Sequence, residues 1–344
     1  MTKALVLFSG GLDSMLAAKT LMNQGIEVIG LTFNSYFFRS KKARQSAQQL
    51  GIKLKEIDFS DEHLAMVKNP KYGYGKNMNP CIDCHSLMLR EARKIMDDEG
   101  YDFIASGEVL GQRPMSQNKE ALETIAKYSG VGEKLVRPLS AKLLEITEPE
   151  KTSKIIRGKL LNISGRARDK QMELVKRYGI KEYASPGSGC LLTDPMFSTR
   201  LIKMFDYWSD CQGNDVELLK YGRVFWINMI ESKALIVIGR HSDDNEKLEK
   251  LAKKGDIMLE LKEIAGPITV IRKQSVQPET CNMKYEIGNR DMELEIPEKL
   301  KKSELGLGEE KTGKEIMQIA GLLTGWYATK ARGKKVLINL RFKN

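Results

Sequence analysis

Short apolar segments and amphipathic segments alternate along about the first 110 residues of the chain. The apolar segments have the length and composition of strands, and the segments between them carry apolar residues at helical spacing. The predicted strands are Ala4–Phe8, Val28–Phe33, Leu54–Phe59 and Phe103–Ser106, and the predicted helices are Ser14–Asn23, Lys41–Leu50 and Ile82–Asp98. Strict alternation predicts an α/β fold with a doubly wound parallel sheet. Because such sheets bind ligands beyond the carboxyl ends of their strands, the four loops that follow these strands should face one crevice.

The pattern changes in the second half of the chain. Glycine, proline and small polar residues in "SPGSGCLLTDP" predict a loop, which is followed by a helix near Ser198–Trp208 and a boundary at "CQGNDVE". Beyond this boundary the apolar segments follow one another closely, which favours antiparallel strands. The sequence therefore predicts two domains, residues 1–210 with the parallel sheet and residues 216–344 with a smaller α+β fold.

The composition is that of a folded, soluble protein. A chain of 344 residues with 41% apolar residues can bury the core of one large domain or two ordinary ones. No apolar run approaches the ~18 residues of a membrane span, and Ala4–Phe8 is too short for the core of a secretion signal. Five cysteines, an odd number, argue against a secreted disulfide framework, so we expect a cytoplasmic protein. The net charge of +11 favours a polyanionic partner or, equally, a lysine-rich solvated surface.

The loop after the first predicted strand has the composition of a phosphate-binding turn. In "SGGLDS", Gly10 and Gly11 let backbone N–H groups approach an anion, and Ser9 and Ser14 add hydroxyl groups. The carboxylate of Asp13 is suited to hold Mg²⁺. The loop has neither the lysine of a Walker A motif nor the glycine spacing of a dinucleotide fingerprint. An ordinary glycine-rich turn that caps a helix is the simpler interpretation of the same residues.

"SGGLDS" resembles the signature of the PP-loop, or N-type, ATP pyrophosphatases, and it stands after the first strand as in that family. The resemblance implies that ATP is cleaved between the α and β phosphates. It also implies that Thr32 and Phe33 of "LTFN" line the adenine site, and that Arg137 and Lys142 of "RPLSAK" lie nearby. Such a loop makes an adenylate that several nucleophiles can attack, so it defines only the first half of a reaction.

A second loop of the predicted crevice follows Phe103–Ser106 in "IASGEVLGQRPMSQ". Its position predicts that Ser106, Gly107 and Glu108 contact the nucleotide and that Arg113 or Gln117 contacts the backbone of the substrate. An ordinary turn between a strand and a helix explains the same sequence equally well.

Three cysteines are candidates for the second half of the reaction. Cys81 and Cys84 have C-x-x-C spacing at the start of a helix, and Cys190 lies in the glycine-rich loop. This spacing suits one metal centre, a pair that forms and opens a disulfide, or plain packing. "CIDCH" also matches the haem-attachment pattern, which the absence of an export signal disfavours.

The segment "NPCIDCHSLMLREARKI" is similar to the cysteine segment of PP-loop tRNA thiolation enzymes. The resemblance implies that Cys81, Cys84 and Cys190 hold a four-iron, four-sulfur ([4Fe-4S]) cluster with one iron open to sulfide. The rival interpretation is a persulfide on Cys190 that Cys81 or Cys84 opens. In both interpretations these cysteines, together with Asp13, are the catalytic candidates. Cys211 and Cys281 lack partner spacing and are interpreted as packing residues.

The C-terminal half resembles the NFACT-R family of RNA-binding modules. The matching positions are Gly239, Arg240, Asn245, Leu248, Asp256 and an inverted pair at Gly266–Pro267. Met258 and Glu260 replace the family's tryptophan and histidine, which weakens the expectation of base stacking there. The basic C-terminal segment is suited to phosphate contacts, and with the arginine of the motif the RNA-binding candidates are Arg240, Lys330, Arg332, Lys334, Lys335 and Arg341. Trp326 and Tyr327 are interpreted as core residues more readily than as stacking residues.

Together these features predict an enzyme that uses ATP and Mg²⁺ to replace a uridine carbonyl oxygen in tRNA with sulfur. The sulfur donor is sulfide or a protein that carries a persulfide, and both the 2- and the 4-carbonyl are candidate targets. Three alternatives remain: a PP-loop ligase or amidase, a nucleotide-binding RNA adaptor without catalysis, and a sulfur-relay enzyme that acts on a small molecule.

Overall fold

The computed structural model describes residues 1–183, 189–229, 232–274 and 290–343. Contacts between Cα atoms divide the chain into two compact units, Met1–Ser198 and Thr199–Asn344. Cys281, which was interpreted as a packing residue, lies outside the described residues. In the described part of the chain, no helix combines the length and apolar character needed to cross a membrane.

Unit 1 contains a sheet of five strands that are all parallel, in the order β3-β2-β1-β4-β5. Its strands are β1 (Lys3–Leu7), β2 (Glu27–Asn34), β3 (Lys53–Asp58), β4 (Phe103–Ser106) and β5 (Leu135–Val136). Its helices are α1 (Leu12–Met22), α2 (Lys41–Leu50), α3 (Ser60–Lys68), α4 (Cys81–Glu99), α5 (Lys119–Ser129), α6 (Glu148–Lys151) and α7 (Asp169–Tyr178). Helix α8 (Pro195–Tyr207) begins in unit 1 and ends in unit 2. The predicted doubly wound parallel sheet is confirmed.

Helices cover both faces of this sheet, which explains why its strands are continuous apolar runs. On one face Val6 and Ala105 pack in a cluster with Met15 of α1. On the other face Leu5 and Ile104 pack in a cluster with Leu89 of α4.

The order of the strands reverses at β1. The chain adds β2 and then β3 on one side of β1, and it returns to add β4 on the other side. At such a switch point the loops after the two central strands run to opposite faces and leave a crevice between them. The loops after β1 and β4 are the two sequence segments predicted to bind nucleotide.

Unit 2 contains a sheet of seven strands in the order β10-β12-β8-β9-β7-β6-β11. The strands are β6 (Arg223–Met229), β7 (Ser232–Ile238), β8 (Ile257–Leu261), β9 (Thr269–Lys273), β10 (Arg290–Glu295), β11 (Glu310–Lys311) and β12 (Lys335–Phe342), and the helices are α9 (Gly213–Leu218), α10 (Ser242–Leu251) and α11 (Gly313–Tyr327). All pairings are antiparallel except that of β11 with β6. Ile316 and Leu323 of α11 pack in the core against Ile236 and Ile338 of the sheet.

Several residues of the NFACT-R-like pattern make structural contacts within unit 2. The side chain of Asn245 accepts a hydrogen bond from the Ile268 backbone N–H at 3.0 Å and donates to the Gly266 carbonyl at 3.2 Å. Asp256 is buried and pairs with the buried guanidinium of Arg272 at 2.6 Å. These contacts account for Asn245 and Asp256 without a ligand.

Candidate active site

The opening loop carries an uncapped helix N-terminus. No side chain among the described residues caps α1, whose N-cap is Gly11. The hydroxyl of Ser14 donates to the Gly11 carbonyl at 2.8 Å, and the hydroxyl oxygen of Ser9 accepts from the Gly11 N–H at 3.3 Å. The first N–H groups of a helix without a side-chain cap, together with its dipole, form a site for an anion.

Two glycines make this loop possible. Gly10 has a φ of +73°, and a Cβ there would lie 2.5 Å from the Lys42 carbonyl oxygen on α2. A Cβ on Gly107, directly after β4, would lie 2.6 Å from the backbone nitrogen of Ser14. Both distances are far below van der Waals contact, so glycine is needed where the loop after β1 approaches α2 and where the loop after β4 approaches the first turn of α1.

Asp13 has one carboxylate oxygen in a network and one without a partner. Its Oδ2 accepts from the side chain of Gln112 at 2.7 Å and lies 4.0 Å from the Arg168 guanidinium. Gln112 in turn accepts from the buried side chain of Gln171 at 3.2 Å. The Oδ1 atom of Asp13 is buried and has no hydrogen-bond partner in the described part of the structure. A buried carboxylate oxygen without a partner beside an anion site fits Mg²⁺.

The remaining nucleotide candidates are placed as follows. Thr32 and Phe33 are buried near the carboxyl end of β2, and the Phe33 ring lies 4.8 Å from that of Phe59. Ser106 is buried at the end of β4. Lys142 is exposed, and its ammonium group donates to the Gly158 carbonyl at 2.8 Å.

Arg137 lies in a buried network centred on Glu108. One carboxylate oxygen of Glu108 accepts from Arg137 at 2.8 Å and from the Ser106 hydroxyl at 2.9 Å, and the other lies 2.7 Å from His85 Nδ1. Arg137 also donates to the Leu122 carbonyl at 2.9 Å. Burial raises the pKa of Glu108, but Arg137 and His85 outweigh it and hold that pKa well below its usual range. The carboxylate therefore balances the charge of Arg137.

The three candidate cysteines lie near one another and form no disulfide. Cys84 lies 3.2 Å from His63 Nε2. Burial raises the pKa of the Cys84 thiol well above its usual value, and the neighbouring Cys190 and Cys81 raise it further. Cys81 accepts from the Asn79 side-chain amide at 3.3 Å, and the Cys190 thiol lies 3.9 Å from the Phe37 carbonyl oxygen.

Three cysteine thiols are ligands of the type that an iron–sulfur cluster takes. Across the described ranges no three His, Cys, Asp or Glu side chains are grouped so that they could hold one metal ion. A single zinc ion requires its ligands within bonding distance of one point, whereas a cluster spaces its thiolates around a larger body. Three neighbouring thiols without a disulfide meet the cluster's requirement for ligand type.

Sequence reasoning missed His63. Its side chain is fully buried in α3, and its ring stacks on Phe59 at 5.0 Å and meets the edges of Phe37 and Phe38. This burial lowers the pKa of His63 to about 4. Its place in the sequence could have indicated a site residue, because His63 lies shortly after the carboxyl end of a predicted strand, where the crevice was expected.

The predicted RNA-binding residues differ in their surroundings. Lys330, Arg332, Lys334 and Lys335 are exposed, as is Arg113 in unit 1. Arg341 pairs with Glu260 at 2.8 Å, and Arg240 pairs with Asp244 at 2.7 Å. Acidic partners therefore balance the positive charge of Arg341 and Arg240.

Aromatic and sulfur side chains of unit 2 lie mostly in its core. Trp326 and Tyr327 are half-buried against the core cluster, and Arg332 lies over the Trp326 ring at 4.7 Å. Met258, where the NFACT-R pattern has tryptophan, is buried, as is Cys211.

The parallel sheet and the uncapped glycine loop at its switch point define unit 1 as an α/β domain with a helix N-terminus open to an anion. The family model described as "Thiamine biosynthesis protein (ThiI)" matches residues 1–147. Two curated relatives are tRNA-specific 2-thiouridylases MnmA. The protein from Methylobacterium nodulans is 29% identical over 139 residues, 35% of this chain and 36% of the relative. The protein from Sulfurimonas denitrificans is 36% identical over 118 residues, 31% of this chain and 35% of the relative.

The chain thus spans about a third of the length of the curated relatives it matches. A 4-thiouridine synthetase–RNA complex with bound ATP is 22% identical, with 63% of this chain and 52% of that chain covered and a TM-score of 0.37. A predicted subunit of a tRNA methyltransferase from Methanocaldococcus jannaschii is 19% identical, with 52% and 76% covered and a TM-score of 0.35. These TM-scores are too low to carry an argument. The sequence matches confirm the predicted resemblance for the N-terminal part of unit 1, and the NFACT-R resemblance stays a prediction.

Proposed function

We propose that this chain is an ATP-dependent tRNA thiouridine synthase, which adenylates a uridine carbonyl oxygen and replaces that oxygen with sulfur. The observation that carries the proposal is that the glycine loop and the three cysteines gather around the carboxyl edge of one parallel sheet. Cys84 contacts His63 just beyond β3, and the neighbouring His85 contacts Glu108 just beyond β4. The sequence similarity of residues 1–147 to ThiI and MnmA supports the same conclusion.

The glycine loop is proposed to perform the first half of the reaction. The uridine carbonyl oxygen attacks the α-phosphorus of ATP, and pyrophosphate leaves toward the N–H groups of α1 and the hydroxyls of Ser9 and Ser14. Asp13, through its unpartnered Oδ1, would hold Mg²⁺, which neutralises charge on the phosphates when bound. Gly10 and Gly107 let this loop pack closely against α2 and the turn after β4, which holds the loop in place.

Other residues are proposed to position the nucleotide. Thr32 and Phe33 would line the adenine site, with Ser106 at the end of the adjacent β4. Lys142 is the exposed basic group proposed for the phosphates. Arg137 acts indirectly, because its guanidinium is buried against Glu108 and thereby fixes the turn after β4.

The cysteines are proposed to perform the second half. Cys81, Cys84 and Cys190 would hold a four-iron cluster, which would supply sulfide for the reaction. The sulfur attacks the activated uridine carbon, the bond from carbon to the adenylate oxygen breaks, and AMP leaves with that oxygen. Cys84 is half-buried and lies 3.2 Å from the fully buried His63.

Unit 2 is proposed to bind the tRNA backbone. Lys330, Arg332, Lys334 and Lys335 expose positive charge in the last part of the chain. Arg240 and Arg341 contribute less, because Asp244 and Glu260 already balance them.

With unmodified tRNA, sulfide and ATP under anaerobic conditions, we expect one AMP and one pyrophosphate for each thiouridine formed. Asp13→Asn keeps an acceptor for Gln112 but removes the charge, so the rate should fall roughly a hundredfold or more. The measurement is mass spectrometry of nucleosides together with chromatography of the nucleotides. The control is Asp97→Asn, which removes an exposed carboxylate on α4 and should leave the rate unchanged. ADP as the product, or full activity of the Asp13 variant, would contradict the proposal.

Protein purified without oxygen should be brown and contain iron and acid-labile sulfide. Cys81→Ala, Cys84→Ala and Cys190→Ala should each lose this iron because each removes one of three ligands. Cys211→Ala serves as the control, since this thiol is buried in unit 2 and should not affect iron content. Colorimetric iron and sulfide assays make the measurement. Stoichiometric zinc without iron would rule the cluster out, and an iron-free protein that needs only Cys190 would favour the persulfide.

The affinity for tRNA should fall steeply with salt, because backbone contacts release counterions. Lys334→Gln with Lys335→Gln should lower the slope of log affinity against log salt by about 1 for each phosphate contact removed. Lys247→Gln with Lys250→Gln removes the same charge from exposed positions on α10 and should leave the slope nearly unchanged. Fluorescence anisotropy with labelled tRNA measures both. Equal slopes for the two double variants would contradict the proposed surface.

A further inference from the structure

His63 occupies a place that the proposed reaction leaves without a role. It is a fully buried polar side chain that contacts Cys84 through one ring nitrogen and Ser35 through the other. Its partner Ser35 is also fully buried and lies just after β2, whereas Cys84 lies in the first turn of α4. A buried histidine with both nitrogens engaged is rigid, so its contacts fix where its protons lie.

The hydrogen bonds around Ser35 favour one tautomer of His63. The Phe37 backbone N–H donates to the Ser35 hydroxyl oxygen at 3.2 Å. The Ser35 hydroxyl oxygen lies 2.7 Å from His63 Nδ1, so the hydroxyl group can donate its hydrogen to that nitrogen. If Nδ1 accepts, the proton of the neutral ring is on Nε2, which lies 3.2 Å from the Cys84 sulfur. In this tautomer the Nε2–H group donates to that sulfur.

The surroundings keep this arrangement in place. Three phenylalanine rings enclose the imidazole, with Phe59 stacked at 5.0 Å and 15° and the other two edge-on. An apolar enclosure of this kind disfavours a charged ring and leaves little room for a second rotamer. Phe37 is also linked to the third cysteine, because the Leu191 N–H donates to the Phe37 carbonyl at 3.2 Å.

We propose that His63 is a positioning residue that donates a permanent hydrogen bond from Nε2–H to the Cys84 sulfur. The cluster that this sulfur would bind rests on the proposed function. An N–H donor stabilises negative charge on a thiolate, and on a cluster ligand it raises the reduction potential. Cys81 also accepts a hydrogen bond, from the side-chain amide of Asn79 at 3.3 Å, whereas the donor to Cys84 is a buried imidazole.

The position of the proton can be measured directly in the full chain without any metal. The chain has three histidines, so ¹⁵N-histidine labelling gives three ring systems in a long-range ¹H–¹⁵N correlation spectrum. His85→Gln and His241→Gln assign two of them, and the assignment of His63 then needs no variant at that buried site. We expect His63 to have its proton on Nε2. A proton on Nδ1 would overturn the inference.

Redox titration of the reconstituted full chain tests the consequence. His63→Phe fills the apolar enclosure but removes the donor, so the midpoint potential should shift to a lower value than in the wild type. His63→Gln places an amide nitrogen about where Nε2 lies and should restore much of the shift. Equal potentials in wild type and His63→Phe, with circular dichroism showing both folded, would overturn the inference. Should the wild type bind no iron, the proposed cluster fails, and the proton position alone decides the role of His63.

Discussion

The parallel pairing of β1 with β4, on the side opposite β2, is the constraint on which the site depends. It makes β1 the point where the strand order reverses, so the loops after β1 and β4 flank one crevice. At the base of this crevice Gly107 approaches the first turn of α1 so closely that no side chain fits. The uncapped N-terminus of α1 and the Asp13 oxygen that has no partner among the described residues lie beside that approach.

The buried carboxylate of Glu108 connects the nucleotide side of the site to the cysteine side. It binds Ser106 at the end of β4, Arg137 after β5 and His85 in the first turns of α4. His85 adjoins Cys84, whose other contact, His63, lies beyond β3. Removing Arg137 alone would leave a buried charge without its main partner, which is strongly destabilising. The proposed two half-reactions therefore share one rigid frame within unit 1.

Much of this architecture could be predicted from the sequence, because buried parallel strands produce continuous apolar runs between turn residues. The opening loop could be predicted for a similar reason, since glycine and aspartate directly after an apolar run are the residue types expected in a ligand-binding loop. Helix α3 was not predicted, because "SDEHLAMVK" is short and follows β3 almost directly. The start of α1 was predicted at Ser14 instead of Leu12, because Gly11 provides no capping side chain. The burial of Arg137 and the contact of His63 with Cys84 join segments far apart in the chain, and neither segment carries a local pattern that reveals the partner.

We propose that the glycine loop and the cysteines act in turn on the same uridine carbonyl, the loop by activating its oxygen and the cysteines by delivering sulfur to its carbon. The most direct test uses tRNA whose uridine carbonyls carry ¹⁸O, with ATP and sulfide under anaerobic conditions. Because AMP leaves with the oxygen that attacked the α-phosphorus, each thiouridine formed should be matched by one AMP that carries ¹⁸O in its phosphate. Mass spectrometry of the nucleotides measures this transfer. Thiouridine accompanied by unlabelled AMP, with the ¹⁸O released into water or pyrophosphate, would contradict the account.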